Sequence, residues 1–295
     1  MILKKSVNGE QGGRRLDEAI SSIFDAVSKS EARRIIDRGG CAVNSSMVRV
    51  ASRVVRAGDM IEIGVMEQGR FRELVLPPES LLYEDGELIA VNKPAGINTQ
   101  RTPYQLKGTL EYWVSEYFRQ QGSSEPARVI HRLDRGTSGV MLFPKHKQAA
   151  AWLSRRFHDG VVDKRYLALV SGRPAQDTWI VDGPIGKLGT SRYGIMAEGR
   201  TAKTEFRLLA SSGGYSLVEA RPLTGRTHQI RVHLESSGLP IVGDATYGGQ
   251  QAVRMMLHCA ALIFKDERGT EISITAPLDN TYEGLMRTSG ITIPS

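Results

Sequence analysis

Cysteine is scarce: Cys41 and Cys259 are the only two in 295 residues, far apart in the chain. That count and spacing exclude a disulfide framework and a cysteine zinc site, and they fit buried thiols in a reducing compartment. Long apolar runs are missing too. No stretch approaches the roughly 20 residues of a spanning helix, so a membrane partner is not expected. Met1-Ile2-Leu3-Lys4-Lys5 leads straight into polar residues and does not read as a signal peptide. The expected location is the cytoplasm. There is no dinucleotide glycine fingerprint, and Gly183-Pro184-Ile185-Gly186-Lys187 is too short for a phosphate loop. His228 and His233 stand five apart, not the four of a helical zinc pair, and no acidic cluster joins them. No metal or cofactor is called for.

What the chain does have is enough apolar sequence for a core, at 40% hydrophobic and 24% charged residues. Its length suits two unequal domains. The net charge is +7, and it is unevenly spread. Lys29 to Arg56 holds seven basic residues against Glu31 and Asp37, and Pro126 to Arg173 holds ten against Asp134, Asp159 and Asp163. Two basic runs in an otherwise nearly balanced chain point to a polyanionic partner.

Leu16, Ala19, Ile20, Ile23, Phe24 and Val27 recur at helical spacing. Ser28 with Glu31 forms a capping box that starts a second helix, which Gly39-Gly40 ends. On it Lys29 and Arg33, and Arg34 and Arg38, stand four apart and share an exposed face, with Ala32, Ile35 and Ile36 pointing inward. Short strands are predicted at Ala42–Val43, Val48–Val50 and Met60–Ile63. Gly64 to Pro78 lacks periodicity and reads as a linker. Beyond it, strands are predicted at Leu88–Asn92, Arg128–His131, Val140–Phe143, Arg165–Ser171, Thr204–Leu209 and Glu271–Thr275. Helices are predicted at Thr109–Phe118, Gln148–His158 and Thr227–Ser237. This mixture implies an α+β class, with a largely antiparallel mixed sheet flanked by helices. The domains are expected at 1–66 and 81–295, joined by 67–80.

Arg15-Leu16-Asp17, Ser30-Glu31-Ala32, Val43-Asn44 and Ala57-Gly58-Asp59 resemble the RNA-binding domain named after a small-subunit ribosomal protein, the S-four or αL type. The likeness implies that Lys29, Arg33, Arg34 and Arg38 grip an RNA backbone.

The richest stretch runs from Arg128 to Phe143, where an apolar segment enters, a polar loop carries Asp134 between Arg132 and Arg135, and a second apolar segment leaves. Guanidinium neighbours favour the charged form of a carboxylate. His131-Arg132-Leu133-Asp134 with Thr137-Ser138-Gly139 resembles the signature of the RluA-type RNA pseudouridine synthases. Further motifs follow in that family's order: Val91-Asn92-Lys93-Pro94-Ala95-Gly96, Lys164-Arg165-Tyr166, Thr224-Gly225-Arg226-Thr227-His228-Gln229-Ile230-Arg231, Gly243-Asp244 with Tyr247-Gly248, and Leu257-His258. The resemblance implies Asp134 as catalytic aspartate, ion-paired to Arg231, and Tyr166 stacked on the target base. It implies Arg132 in the gap left by the flipped nucleotide and Ile230 on the wall of the uracil pocket. Gly136 departs from the pattern, standing where the family usually has an acidic or amide residue.

Uridine isomerisation detaches the base, turns it and rejoins it through carbon, so one carboxylate, one proton acceptor and a shielded pocket suffice. The target must also leave its stack, at a cost of about a few kcal/mol that basic and aromatic contacts offset. The expected partner is RNA, ribosomal in preference to tRNA, bound by a monomer in the manner of the RluC/RluD branch. The competing reading, a non-catalytic RNA-binding or ribosome-assembly protein, accounts for the charge but gives no reason for Asp134, Tyr166 and Arg231 to occur together.

Overall fold

The computed structural model describes residues 2–25, 27–64, 76–101, 107–189 and 192–292. The chain divides into two compact units, one built from residues 1–76 and 98–127, the other from 77–97 and 128–295. Most of the segment read as a linker lies outside the described residues.

In the first unit, strand β1 (Ile2–Ser6) precedes helices α1 (Leu16–Ile23) and α2 (Lys29–Asp37), strands β2 (Cys41–Val43), β3 (Ser46–Met47) and β4 (Met60–Gly64), and helix α3 (Leu110–Gln120). The strands form an antiparallel sheet in the order β1-β4-β2-β3. The apolar stripe of α1 and the inward face of α2 meet the sheet in one core that holds Leu16, Ile20, Ile35, Ile36, Ile61 and Ile63. Both halves of the α2 capping box are present. Val48–Val50 is not a strand. The third strand lies one turn earlier, because Asn44 and Ser45 adopt left-handed backbone and close a tight hairpin there.

The basic face of α2 is partly committed within the unit. Arg33 Nε donates to Asp17 Oδ2 at 2.6 Å, and Lys29 Nζ pairs with Glu18 at 2.6 Å. Asp17 is fully buried and also accepts from Arg15 and from the Glu18 amide. Burial works against its charge, but the bonds from Arg15 and Arg33 outweigh it and bring the pKa to about 2. A carboxyl held below its unfolded value of about 3.9 adds stability that is complete above that pH and lost as pH falls towards 2. Hydrogen exchange of α1 and α2 should therefore show Asp17→Asn destabilised at pH 7, with the gap to the parent narrowing at pH 3. An equal gap at both would contradict this linkage.

The second unit is built on a nine-stranded sheet. Its strands are β5 (Leu81–Glu84), β6 (Leu88–Lys93), β7 (Ser138–Pro144), β8 (Asp163–Ser171), β9 (Thr178–Asp182), β12 (Lys203–Ser212), β13 (Tyr215–Pro222), β14 (Leu257–Lys265) and β15 (Glu271–Thr275). Between β9 and β12 lies a separate hairpin of β10 (Ile185–Lys187) and β11 (Tyr193–Ile195). The order is β5-β6-β7-β14-β8-β13-β12-β9, with β15 on β14. Only β7 and β14 pair in parallel, so the sheet is mixed and largely antiparallel as expected. Helices α4 (Lys147–His158), α5 (Gln229–Ser236) and α6 (Asn280–Thr288) accompany it.

Arg128–His131 is not a strand: the chain is irregular until β7 begins at Ser138. Its last two residues, Ile130 and His131, line a cleft. At the start of β7, Gly139 sits at φ 114°, and a Cβ there would come within 2.1 Å of the Cys259 carbonyl oxygen. No residue but glycine lets the parallel β7–β14 pair approach that closely.

Candidate active site

Asp134, Tyr166, Arg231, Arg132 and Ile230 all line one cleft of about 600 Å³ in the second unit. The cleft wall carries Arg132, Lys164, Arg226 and Arg231 against the single acid Asp134, with Phe157, Leu223 and Ile230 as apolar surface. Such a cavity attracts a polyanion and also shelters a flat ring. Lys29, Arg33, Arg34 and Arg38 lie apart from this set, on α2 of the first unit and its C-cap.

The Asp134 loop is fixed from three sides. Thr137 N–H donates to the Asp134 carbonyl at 3.1 Å, and Gly96 N–H donates to the Arg135 carbonyl at 2.7 Å. Lys93, fully buried at the end of β6, donates to the carbonyls of Pro94, Ile97 and Arg135. Burial pulls its pKa down to about 7, against the raising pull of the Asp134 charge. His131 stacks on Phe157 at 4.3 Å, and its Nε2 accepts from Leu142 N–H at 2.9 Å. Burial pushes its pKa down to about 3, so the ring is neutral with its proton on Nδ1. Arg135, which flanks Asp134 in sequence, turns its Nε to the Gly96 carbonyl. At position 136 a Cβ would meet Met255 at 3.2 Å, so the missing side chain is replaced by packing from a flexible methionine.

The cation that meets Asp134 is Arg231, whose Nη1 donates to Oδ2 at 3.0 Å. Oδ1 meets no donor among the described residues. Arg231 is itself buried, one residue beyond Ile230 on α5. Its other edge forms a fork on Asp244, with Nε to Oδ2 at 2.6 Å and Nη2 to Oδ1 at 2.9 Å. The ring of Tyr247 lies 4.8 Å from the guanidinium carbon. Burial works against the charge of Arg231, but Asp244 and then Asp134 outweigh it and hold its pKa above the ordinary value. One planar group thus bridges two carboxylates, and the Asp244 fork fixes the plane in which Nη1 is presented.

His228, at the N-cap of α5, has a left-handed backbone with φ 58°. Its Nδ1 is 2.9 Å from the Tyr247 hydroxyl, and its Nε2 is 3.7 Å from Asp134 Oδ2. Gln229 ties the preceding loop to the sheet, accepting from Thr224 and the Arg226 amide and donating to the Lys203 carbonyl. His233 lies between the Thr204 hydroxyl and the Gly183 carbonyl, 29 and 50 positions away in the chain. On β8, Tyr166 lies opposite Cys259, and burial, then that neighbour, push its pKa well above the ordinary phenol value. Tyr166 is therefore a phenol at neutral pH and not a phenolate. His258 donates from Nε2 to the Ala276 carbonyl, so Nδ1 accepts from Ser138 at 2.8 Å. Asp244, Tyr247 and Lys93 stand within the sequence motifs, but no spacing rule marks them as partners of Arg231 or of the loop.

The cleft thus combines a carboxylate held by one guanidinium, surplus positive charge and a protonated phenol in its wall. Similarity to known proteins supplies the class. Residues 87–236 match the family described as RNA pseudouridylate synthase, and residues 14–61 match the S4 domain. The chain belongs to the RNA pseudouridylate synthase family and is an isomerase acting on RNA. It is 31% identical to the uncharacterized RNA pseudouridine synthase YlyB of Bacillus subtilis, across 91% of this chain and 92% of that one. It is 30% identical to the ribosomal large subunit pseudouridine synthase C of Escherichia coli, across 96% and 94%. The solved human RNA pseudouridylate synthase domain containing 4 shares the fold, with a TM-score of 0.63, 24% identity and coverage of 74% of this chain and 95% of that one.

Proposed function

We propose that this enzyme isomerises specific uridines of large-subunit ribosomal RNA, with Asp134 as the catalytic carboxylate. The observation that carries the assignment is the Asp134 side chain itself: Oδ2 is pinned by Arg231, and Oδ1 is left to act in a cationic cleft. Ribosomal RNA is favoured by the name of the Escherichia coli relative, which aligns over nearly all of both chains. In the reaction the C1′–N1 bond breaks, the uracil turns, and a C1′–C5 bond forms. C5 then loses its proton and N1 gains one, so the product is an isomer. Asp134 acts on the ribose or the base as the glycosidic bond breaks. Tyr166 stacks on the base as a neutral phenol, Ile230 walls the pocket, and Arg132, exposed at the rim, fills the vacated stack. We place RNA contacts on α2 and its C-cap at Lys29, Arg33, Arg34 and Arg38, and the domains at 1–66 and 81–295 with 67–80 between them. The enzyme is read as a cytoplasmic monomer, in keeping with two buried free thiols. Among the described residues no helix is long and apolar enough to cross a membrane.

Binding measured against salt tests the α2 assignment. Replacing Arg34 and Arg38 with Gln is expected to lower the slope of log affinity against log salt by about 0.7–0.9 for each phosphate that the helix no longer neutralises. An unchanged slope would remove α2 from the interface. Pseudouridine formed in tRNA but absent from ribosomal RNA would overturn the substrate assignment.

A further inference from the structure

We propose that His228 is a positioning residue, held by Tyr247 in the tautomer that carries its proton on Nε2, so that it and Arg231 both donate to Asp134 Oδ2 and Oδ1 is the reacting oxygen. The inference rests on the reading of Asp134 as the catalytic carboxylate.

Each proton in this chain of groups has a determined place. The Tyr247 oxygen accepts from Tyr193 N–H at 3.0 Å. Burial pushes the Tyr247 pKa up, so the phenol keeps its own hydrogen. That hydrogen needs an acceptor, and His228 Nδ1 stands 2.9 Å away. An imidazole that accepts at Nδ1 carries its proton on Nε2 when neutral. Nε2 faces Asp134 Oδ2 at 3.7 Å, longer than a direct bond and suited to tighten when substrate closes the cleft. The result is a chain from a backbone amide through a phenol and an imidazole towards a carboxylate, in which the last step, at 3.7 Å, is longer than a hydrogen bond in this structure.

The backbone supports the same reading. His228 is one of only three non-glycine residues with positive φ among those described, and the other two form the β2–β3 turn. Left-handed backbone is costly for a residue with a side chain and persists where the surroundings enforce it, often at sites of function. In this conformation the imidazole meets Tyr247 at Nδ1 and faces Asp134 at Nε2. The groups facing the ring are Asp134 and Arg132 from the catalytic loop, Arg231 from α5, Asp244 and Tyr247 from the segment after it, and Tyr193 of β11, whose ring packs edge-on at 5.4 Å. Burial, first among these influences, lowers the His228 pKa, while Asp134 opposes it. A neutral ring at physiological pH is what the tautomer argument requires.

Four variants test the proposal on large-subunit ribosomal RNA transcribed with 5-tritiated uridine, read as single-turnover tritium release. His228→Ala should lower the rate about 10- to 100-fold, the loss expected for one hydrogen bond to a charged group, with KM within about threefold of the parent. His228→Gln places an amide nitrogen near the position of Nε2 and should recover most of that loss. Tyr247→Phe removes one oxygen and frees the tautomer, so Nε2 can turn a lone pair on Asp134. Because burial lowers the His228 pKa, the rate of Tyr247→Phe relative to the parent should then rise only as pH falls below about 6.5, where an imidazolium restores the donor. A purely structural role predicts no such crossover and no rescue by Gln. His228→Ala at parental rate would overturn the proposal, as would a slow His228→Ala with neither rescue nor crossover. If His228→Ala does not fold, the Tyr247→Phe profile decides alone. Asp134→Asn separates the two readings: if it stays active the assignment of Asp134 fails, and if it is dead while the His228 variants are normal only the role of His228 fails.

Discussion

Asp134→Asn is expected to keep the fold and the affinity for RNA while losing turnover by about a thousandfold or more. An amide of equal size can neither take a proton nor attack carbon, and a well-placed acid–base group is worth about 10²- to 10⁴-fold. The amide still accepts a hydrogen bond from Arg231 Nη1 at the Oδ2 position, and Arg231 keeps its fork on Asp244. The loop is held through its backbone, by Lys93, Gly96 and Thr137, none of which touches the carboxylate oxygens. Fold and chemistry are therefore separable at this residue. Tritium release together with filter binding measures both, and activity within tenfold of the parent would remove Asp134 from its role.

The second large effect is expected at Arg231. Replacement with Met takes the cation from Asp134 and also strands Asp244, which is 2% exposed, without its partner. Breaking a buried pair by removing one member costs about 3–5 kcal/mol, so a lower melting temperature should accompany the kinetic defect. The single-turnover plateau should fall as the Asp134 carboxylate loses the guanidinium that orients it. Arg231→Lys should restore stability better than rate, because it returns charge without the planar fork. Combining Arg231→Met with Asp244→Leu should recover stability but not rate, since an apolar pair can replace a buried ion pair with little loss. If the plateau stayed in place in Arg231→Met, the pairing with Asp134 would have no catalytic meaning.

Local patterns are the most legible part of the sequence. The α1 stripe, the Ser28–Glu31 box of α2 and the strand at Glu271–Thr275 follow from periodicity and capping, which neighbours in sequence settle. Sequence and structure part where distant contacts decide. Arg128–His131 has the apolar content of a strand, yet it forms no strand and its last two residues line the cleft instead. Strands β13 and β14 pair on both sides deep in the sheet, so burial on two faces blurs the alternation that marks a half-exposed strand. The cleft residues from the catalytic loop, β8 and α5 are marked by ordered motifs, while their supports are not. Asp244 meets Arg231 from 13 positions away, and Tyr247 meets His228 from 19. Spacing alone does not predict either contact, because each depends on how the segment after α5 folds back over the helix.

Conversion of large-subunit ribosomal uridines through Asp134 is tested by mapping pseudouridine across total RNA from a strain lacking the protein, complemented with either the parent or Asp134→Asn. A small set of large-subunit positions should be pseudouridine with the parent and uridine both without it and with Asp134→Asn. An identical pseudouridine map in all three strains, or full restoration by Asp134→Asn, would contradict it.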